Sequence, residues 1–312
     1  MEQAIFIDKL TKSYSLKKVK MKALDSISLA VEAGDFVALI GPDGAGKSTL
    51  IKILCGILDF DEGKVEVLGY QLPEQKNAIK HHIGYLSQRF SLYGNLTVEE
   101  NLRYFAKVFG VDDYKQRMEK LMKAVDLGAF RDRLAKQLSG GMKQKLGVIS
   151  GLIHSPQILF LDEPTTGVDP VSRRELFKVV EERVDAGLTV IMSTSYMDEA
   201  ERAKRVIMFN EGRIIQQGTY DEIVSQAHCR VIVVETTQPV NVVEQMKGKS
   251  GVRFINPIGT TVQLLVDEVV TMEQVANQLK GLPNRIYETG LTMENLFINS
   301  VMLQKKEHEK EN

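Results

Sequence analysis

Tryptophan is absent from this 312-residue chain and cysteine occurs only twice, at Cys55 and Cys229. Two isolated cysteines make neither a disulfide framework nor a zinc ligand set, so both are expected as reduced, inert thiols. The five histidines, His81, His82, His154, His228 and His308, show no HExxH or other ligand spacing, which argues against a metal site built by protein ligands alone. No apolar run approaches the roughly 18–20 residues that a membrane span requires. Met1-Glu2-Gln3 opens no charged-then-apolar signal, so the chain is expected to be made and kept in the cytoplasm. An excess of charge of either sign is also missing: 40 Lys+Arg stand against 41 Asp+Glu, a net charge of -1, which gives no basic footprint for nucleic acid. What remains is ordinary globular composition, 43% hydrophobic and 26% charged. Single cores stop growing near about 250–300 residues, so a chain of this length predicts one large core and a smaller domain.

The most informative stretch is Gly41-Pro42-Asp43-Gly44-Ala45-Gly46-Lys47-Ser48-Thr49. It follows the apolar run Phe36 to Ile40 and precedes Leu50 to Leu54, which reads as strand, glycine-rich loop, helix. The spacing is GxxxxGK(S/T). Successive backbone N–H groups of such a loop cradle phosphates, Lys47 reaches the outer ones, and Ser48 offers its hydroxyl to Mg²⁺. The helix beginning near Lys47 adds its positive end to the same anion.

Around this loop the chain has a readable order. Ala4 to Asp8 alternates weakly and meets Lys12-Ser13-Tyr14, a polar turn, whereas Ile27 to Val31 leads through Ala33-Gly34-Asp35 into the strand Phe36 to Ile40 and predicts an antiparallel hairpin feeding the nucleotide core. Tyr14 is either a stacking face for an adenine ring or a half-buried surface tyrosine. Lys64 to Leu68 and His82 to Leu86 read as further strands, the second running into Gln88. From 89 to 150 the texture is helical. Thr97-Val98-Glu99-Glu100 has the form of a capping box, Leu102, Phe105, Val108 and Phe109 follow at helical spacing, and Met118, Leu121, Met122 and Val125 mark a second helix. This helical insert ends in Leu138-Ser139-Gly140-Gly141-Met142-Lys143-Gln144. Ser139, Gly140 and Gly141 would open a helix with bare N–H groups, suited either to a phosphate or to a flexible cap. Gln157 to Pro164 reads as a buried strand whose apolar run ends in Asp162 and Glu163. Two carboxylates at a carboxyl strand end point to a Mg²⁺ shell held by Asp162 and to a water oriented or deprotonated by Glu163. Gly167-Val168-Asp169-Pro170 then forms a tight loop before a helix over 171–184, and Leu188 to Met192 is a strand ending in Ser193-Thr194-Ser195.

Taken together, these motifs resemble the ATP-binding subunit of an ABC transporter over about positions 3 to 225. The resemblance implies an α/β fold: a P-loop NTPase core with an antiparallel β subdomain and a helical subdomain. It implies ATP and Mg²⁺ as cofactors. It makes Tyr14 the adenine-stacking aromatic, Gln88 the residue that senses Mg²⁺ and the γ-phosphate, Asp169 a catalytic residue beside Glu163 and Gln88, and Ser139 with Gly141 the contacts to ATP bound by a second nucleotide-binding domain in a head-to-tail dimer. The family pattern has a switch histidine where this sequence has Ser195. A serine is shorter and carries no stable positive charge. The expectation is therefore intact ATP binding and slow hydrolysis at the Lys47 site, with either a different partner chain or a homodimer in which a water or another side chain replaces the imidazole. The stretches Leu92 to Gly110 and Tyr196 to Glu201 are similar to the exporter branch served by separate ABC-2 type membrane subunits, which places the chain peripherally on the cytoplasmic face of the membrane. A groove rimmed by Phe90, Leu92 and Tyr93 would receive the membrane subunit, unless these aromatics are core. A soluble ABC ATPase of translation or DNA repair and an ATP-binding regulatory subunit are the alternatives. One phosphate loop and about fifty residues between Gln88 and the signature disfavour the soluble class, whereas Ser195 keeps the regulatory one open.

Residues 229–303 read as a small α/β domain similar to the C-terminal extension of these exporters, with strands at 231–234, 252–255, 261–265 and 285–287, helices at 240–246, 271–279 and 291–301, and no catalytic constellation. Gln304 to Asn312 reads as a charged, frayed tail.

Overall fold

The structure, a computed structural model, describes residues 3–16, 19–88, 92–279 and 281–311. It divides into two compact units, Met1–Ile214 and Ile215–Asn312. The first opens with β1 (Gln3–Leu16) and β2 (Val19–Glu32), then β3 (Phe36–Ile40), α1 (Lys47–Leu54), β4 (Glu62–Val67), β5 (Tyr70–Leu72), α2 (Lys76–Ile79) and β6 (Ile83–Leu86). The helical insert holds α3 (Val98–Val108), α4 (Tyr114–Ala124) and α5 (Gly140–Leu152). Then come β7 (Ile158–Asp162), α6 (Pro170–Asp185), β8 (Thr189–Thr194), α7 (Met197–Ala200), β9 (Arg205–Asn210) and β10 (Arg213–Gly218).

Two sheets share the large core. The antiparallel one has the order β2-β1-β4-β5 and the second has the order β10-β9-β3-β8-β7-β6. In the second, β9, β3, β8, β7 and β6 run parallel. Every residue of β3, β7 and β8 is buried, as continuous apolar runs covered on both faces require. The hairpin expected between β2 and β3 does not form: β2 pairs with β1 in the antiparallel sheet, while β3 joins β8 and β9 in the other. The β1–β2 pair also extends beyond the apolar runs Ala4 to Asp8 and Ile27 to Val31. Lys12, Ser13 and Tyr14 are not a turn but pair in register with Leu24, Lys22 and Met21. The sequence pattern breaks there because the pairing shifts register between Ile7 and Ser13, which scrambles the alternation that marks a strand. The Asp61 carboxylate holds the segment by accepting the Ser13 N–H at 2.7 Å.

In the insert, Thr97 caps α3 with the expected reciprocal pair: Thr97 Oγ1 accepts the Glu100 N–H, and Glu100 Oε2 accepts the Thr97 N–H. Leu102 is buried, whereas Val108 is exposed on the rim of a groove.

The second unit contains α8 (Tyr220–Ala227), β11 (Cys229–Glu235), α9 (Pro239–Met246), β12 (Val252–Ile258), β13 (Thr261–Asp267), α10 (Met272–Gln278), β14 (Arg285–Thr289) and α11 (Met293–Glu311). From β11 to β14 the order is β-α-β-β-α-β, closing an antiparallel sheet of order β12-β13-β11-β14. Ile232, Val234, Leu264 and Val266 form its core with Val242 of α9 and Val275 of α10. Arg253 reaches Asp267 at 2.6 Å, the His228 carbonyl at 2.7 Å and Asn299 of α11 at 2.6 Å. α11 continues to Glu311 through the segment read as a frayed tail. Lys, Glu and Gln are good helix formers, and nothing in 304–311 breaks the helix.

Candidate nucleotide site

Parallel pairing brings four strand ends to one edge. Ile40 pairs with Thr194, Asp162 with Ser193, and Leu86 with Leu161. The loop 41–49, Glu163, Ser195 and Gln88 therefore leave the sheet together at its carboxyl edge, where open α/β sheets bind ligands.

The loop depends on glycine at two points. Gly41 has φ 150°, and a Cβ there would lie 2.2 Å from the Phe209 carbonyl oxygen; Gly46 has φ 109°, with its Cβ 2.5 Å from the Ala23 carbonyl oxygen. α1 starts directly after Gly46, so the loop ends on free helix N–H groups. Lys47 is 4% exposed, and its Nζ donates to the carbonyls of Gly41 at 2.6 Å and Pro42 at 3.0 Å. Burial lowers the Lys47 pKa, opposed by the charges of Glu163, Asp43 and Asp162. An ammonium held by two carbonyls over its own loop can exchange them for phosphate oxygens.

A cavity of about 300 Å³ opens here, lined by Asp43, Gly44, Ala45, Gly46, Lys47, Ser48 and Thr49, with Gln88 and Glu163 on one side and Tyr14, Met21 and Ala23 on the other. Tyr14 is 36% exposed at its edge, with Lys12 Nζ 5.9 Å from the ring centroid. Pro42 shares with Gly41 the carbonyls that hold Lys47. Ser48 Oγ donates to Asp162 Oδ1 at 2.7 Å, and Gln88 Nε2 donates to Glu163 Oε2 at 2.8 Å. Adjacent hydroxyl and carboxylate oxygens are the hard donors that Mg²⁺ takes, so Ser48 and Asp162 fit that ion. A larger cleft of about 610 Å³ beside α4 and the end of α6 has no comparable convergence of groups.

The other predicted residues lie apart from this cavity. Ser139 caps α5 by accepting the Met142 N–H at 3.2 Å; Ser139 and Gly140 are exposed, and Gly141 is buried against Ser172. Asp169 caps α6, accepting the N–H groups of Val171 at 3.1 Å and Ser172 at 3.0 Å. The Ser172 bonds hold its carboxyl below the ordinary range. Ser195 is exposed just past β8.

Two groups escaped sequence reading. Ser193 is wholly buried and bonds to Asp162 at 2.7 Å. Glu199, 1% exposed, accepts the hydroxyls of Thr165 and of Thr194 (2.7 Å) and pairs with Arg173 at 3.3 Å. Burial raises the Glu199 pKa against those bonds. The Arg173 guanidinium in turn lies 4.6 Å from the Tyr196 ring centroid. For Ser193 the available signal was a polar residue at the end of an apolar strand; Glu199 lies in α7, and apart from Thr194 its partners come from distant elements.

A family model described as ABC transporter matches residues 24–166. The chain is 40% identical over 228 residues to the probable multidrug ABC transporter ATP-binding protein YbhF of Escherichia coli (strain K12), covering 72% of this chain and 39% of that one. It thus spans about two fifths of the length of that relative. Over 305 residues it is 33% identical to a daunorubicin resistance ATP-binding protein of Streptomyces coeruleorubidus, covering 95% of this chain and 92% of the relative. A solved structure of the ATP binding subunit of an ABC transporter is 29% identical and superposes with a TM-score of 0.65 over 72% of this chain and 92% of that one. The phosphate loop, the paired carboxylates and these likenesses agree, and the chain belongs to the ATP-binding proteins of ABC transporters.

Proposed function

We propose that the chain hydrolyses MgATP at the cavity between Tyr14 and Glu163, and that this drives export through separate membrane-spanning ABC-2 type subunits. The observation that carries this reading is the pairing of Ser48 with Asp162 and of Gln88 with Glu163 across the loop that holds Lys47. In it Tyr14 stacks on the adenine and the loop N–H groups bind the phosphates. Lys47 balances the outer phosphate charge, Ser48, Asp162 and Gln88 hold Mg²⁺, and Glu163 orients or deprotonates the attacking water. Bound Mg²⁺ supplies charge neutralisation at the phosphates. Ser139 and Gly140, exposed at the start of α5 and outside the cavity, serve the ATP of a second nucleotide-binding domain together with the buried Gly141 behind them, with Asp169 at the joint.

The membrane subunit would dock on the helical insert. A largely apolar groove of about 450 Å³ lies between α3, α5 and β6, lined by Ile57, Leu92, Phe105, Val108 and Phe109 among others. Leu92 lines it as expected; Tyr93 instead packs on Tyr104 and Phe105, and Phe90 lies outside the described residues. Among the described residues no helix is long and apolar enough to cross a membrane, which suits a peripheral subunit on the cytoplasmic face.

Ser195 remains the departure. With a serine at this exposed position, hydrolysis at the Lys47 site is slow and the chain lends its signature residues to a competent partner. Single-turnover hydrolysis by the purified chain beside Ser195→His tests this. A clearly faster His variant is expected, and equal rates would sink the idea. Isolation from membranes with its bound subunits tests the export role.

A further inference from the structure

β8 is an apolar strand until Ser193, where a hydroxyl is buried completely at the carboxyl edge. Buried hydroxyls usually satisfy themselves on a nearby backbone carbonyl, as Ser150 does on Leu146. Ser193 instead touches both carboxylate residues. Its Oγ lies 3.0 Å from the Glu163 backbone nitrogen and 2.7 Å from Asp162 Oδ1. The Glu163 N–H can only donate, so the serine oxygen accepts there and its single proton goes to Asp162. The direction of the chain Glu163 N–H to Ser193 O–H to Asp162 is thereby fixed, and each bond polarises the next. The Ser193 carbonyl also receives the Glu163 N–H, at 3.1 Å.

Both ends of this chain need support. Asp162 Oδ1 already accepts Ser48 Oγ, so the second hydroxyl holds the carboxylate in one rotamer as a double acceptor. Glu163 has φ 50°, a left-handed conformation that is strained for a non-glycine residue and persists only where surrounding bonds enforce it. That turn is what sends the Glu163 side chain to Gln88.

We infer that Ser193 is a positioning residue for hydrolysis: one buried hydroxyl sets the orientation of the cation-binding Asp162 and holds the backbone turn that presents Glu163. The inference rests on the proposed MgATP reading of this site. Ser193→Val and Ser193→Thr provide the test, because valine has the shape of threonine without its hydroxyl. Equilibrium binding of a fluorescent ATP analogue to the full chain is measured in EDTA and in Mg²⁺, with Mn²⁺ binding followed by electron paramagnetic resonance and melting temperature as the folding control. The Val variant should bind in EDTA like wild type yet lose about 10- to 100-fold of divalent-ion affinity, the cost typical of removing an outer partner of a metal ligand. The Thr variant should keep that affinity and the wild-type Mn²⁺ spectrum. Val and Thr behaving alike, or Val weakening binding equally in EDTA and in Mg²⁺, would overturn the positioning role. If Val melts early, Ser193→Ala gives the same comparison. A wild-type chain that binds the analogue in neither buffer would overturn the MgATP reading itself, and the role of Ser193 with it.

Discussion

Glu163 shows how a residue can be legible while its geometry is not. Its identity at the end of Ile158–Asp162 was readable from two acids following an apolar run, but the left-handed backbone and the bond from Gln88 depend on β6 and β8 lying beside β7. If Glu163 handles the attacking water, Glu163→Gln should lower hydrolysis by about 100-fold or more while leaving ATP binding intact. Rapid-quench turnover and analogue binding on the same preparation would show it. Asp169 makes a second prediction. Its folded pKa is depressed by the N–H and hydroxyl of Ser172, so its contribution to stability is complete above the ordinary carboxylate range and is lost as pH falls through the depressed value. Asn at this position still caps but does not titrate. Melting curves should therefore show a shallower acid-side loss of stability in Asp169→Asn than in wild type, with little difference at neutral pH.

At the scale of elements, α3 was predicted from its cap and its apolar spacing, and both Thr97 and Leu102 behave as that pattern requires. Asn101 was not foreseen. It is fully buried; its Nδ2 serves the carbonyls of Tyr93, Leu96 and Thr97, and its Oδ1 accepts the Tyr93 N–H. A polar residue on an apolar stripe reads as a surface position until the loop that it fastens is seen. Asn101→Ala leaves several backbone groups buried without partners and should cost about 2–4 kcal/mol, more than the roughly 1 kcal/mol expected for Thr97→Ala. Urea unfolding of the two variants would rank them. The β1–β2 hairpin taught the opposite lesson: three register shifts between Ile7 and Ser13 hid the strand from the alternation rule, and Tyr14 consequently arrives at the cavity on a strand rather than on a turn.

At the scale of the whole molecule, the proposed sharing of the site with a second nucleotide-binding domain makes a prediction about association. Ser139 and Gly140 are exposed and do not line the cavity of their own chain, so ATP should drive association. If the partner is a second copy of this chain, Glu163→Gln with MgATP, run on size exclusion with light scattering, should shift toward a dimer that EDTA or Lys47→Ala abolishes. A monomer under all conditions would point to an obligatory different partner. The smaller unit, Ile215–Asn312, begins before the boundary read from sequence because α8 belongs with α11, where Tyr220 donates to the Leu291 carbonyl. The sequence alone determined the phosphate loop, the order of the motifs and the helical insert, because each rests on short-range spacing that local backbone chemistry makes specific. Only the tertiary structure decided that Ser193 lies between Asp162 and Glu163, that Glu199 gathers Thr165, Thr194 and Arg173, and that Ser139 stands apart from Lys47. Those facts depend on which strands become neighbours, and contacts between residues dozens of positions apart leave no periodic trace along the chain.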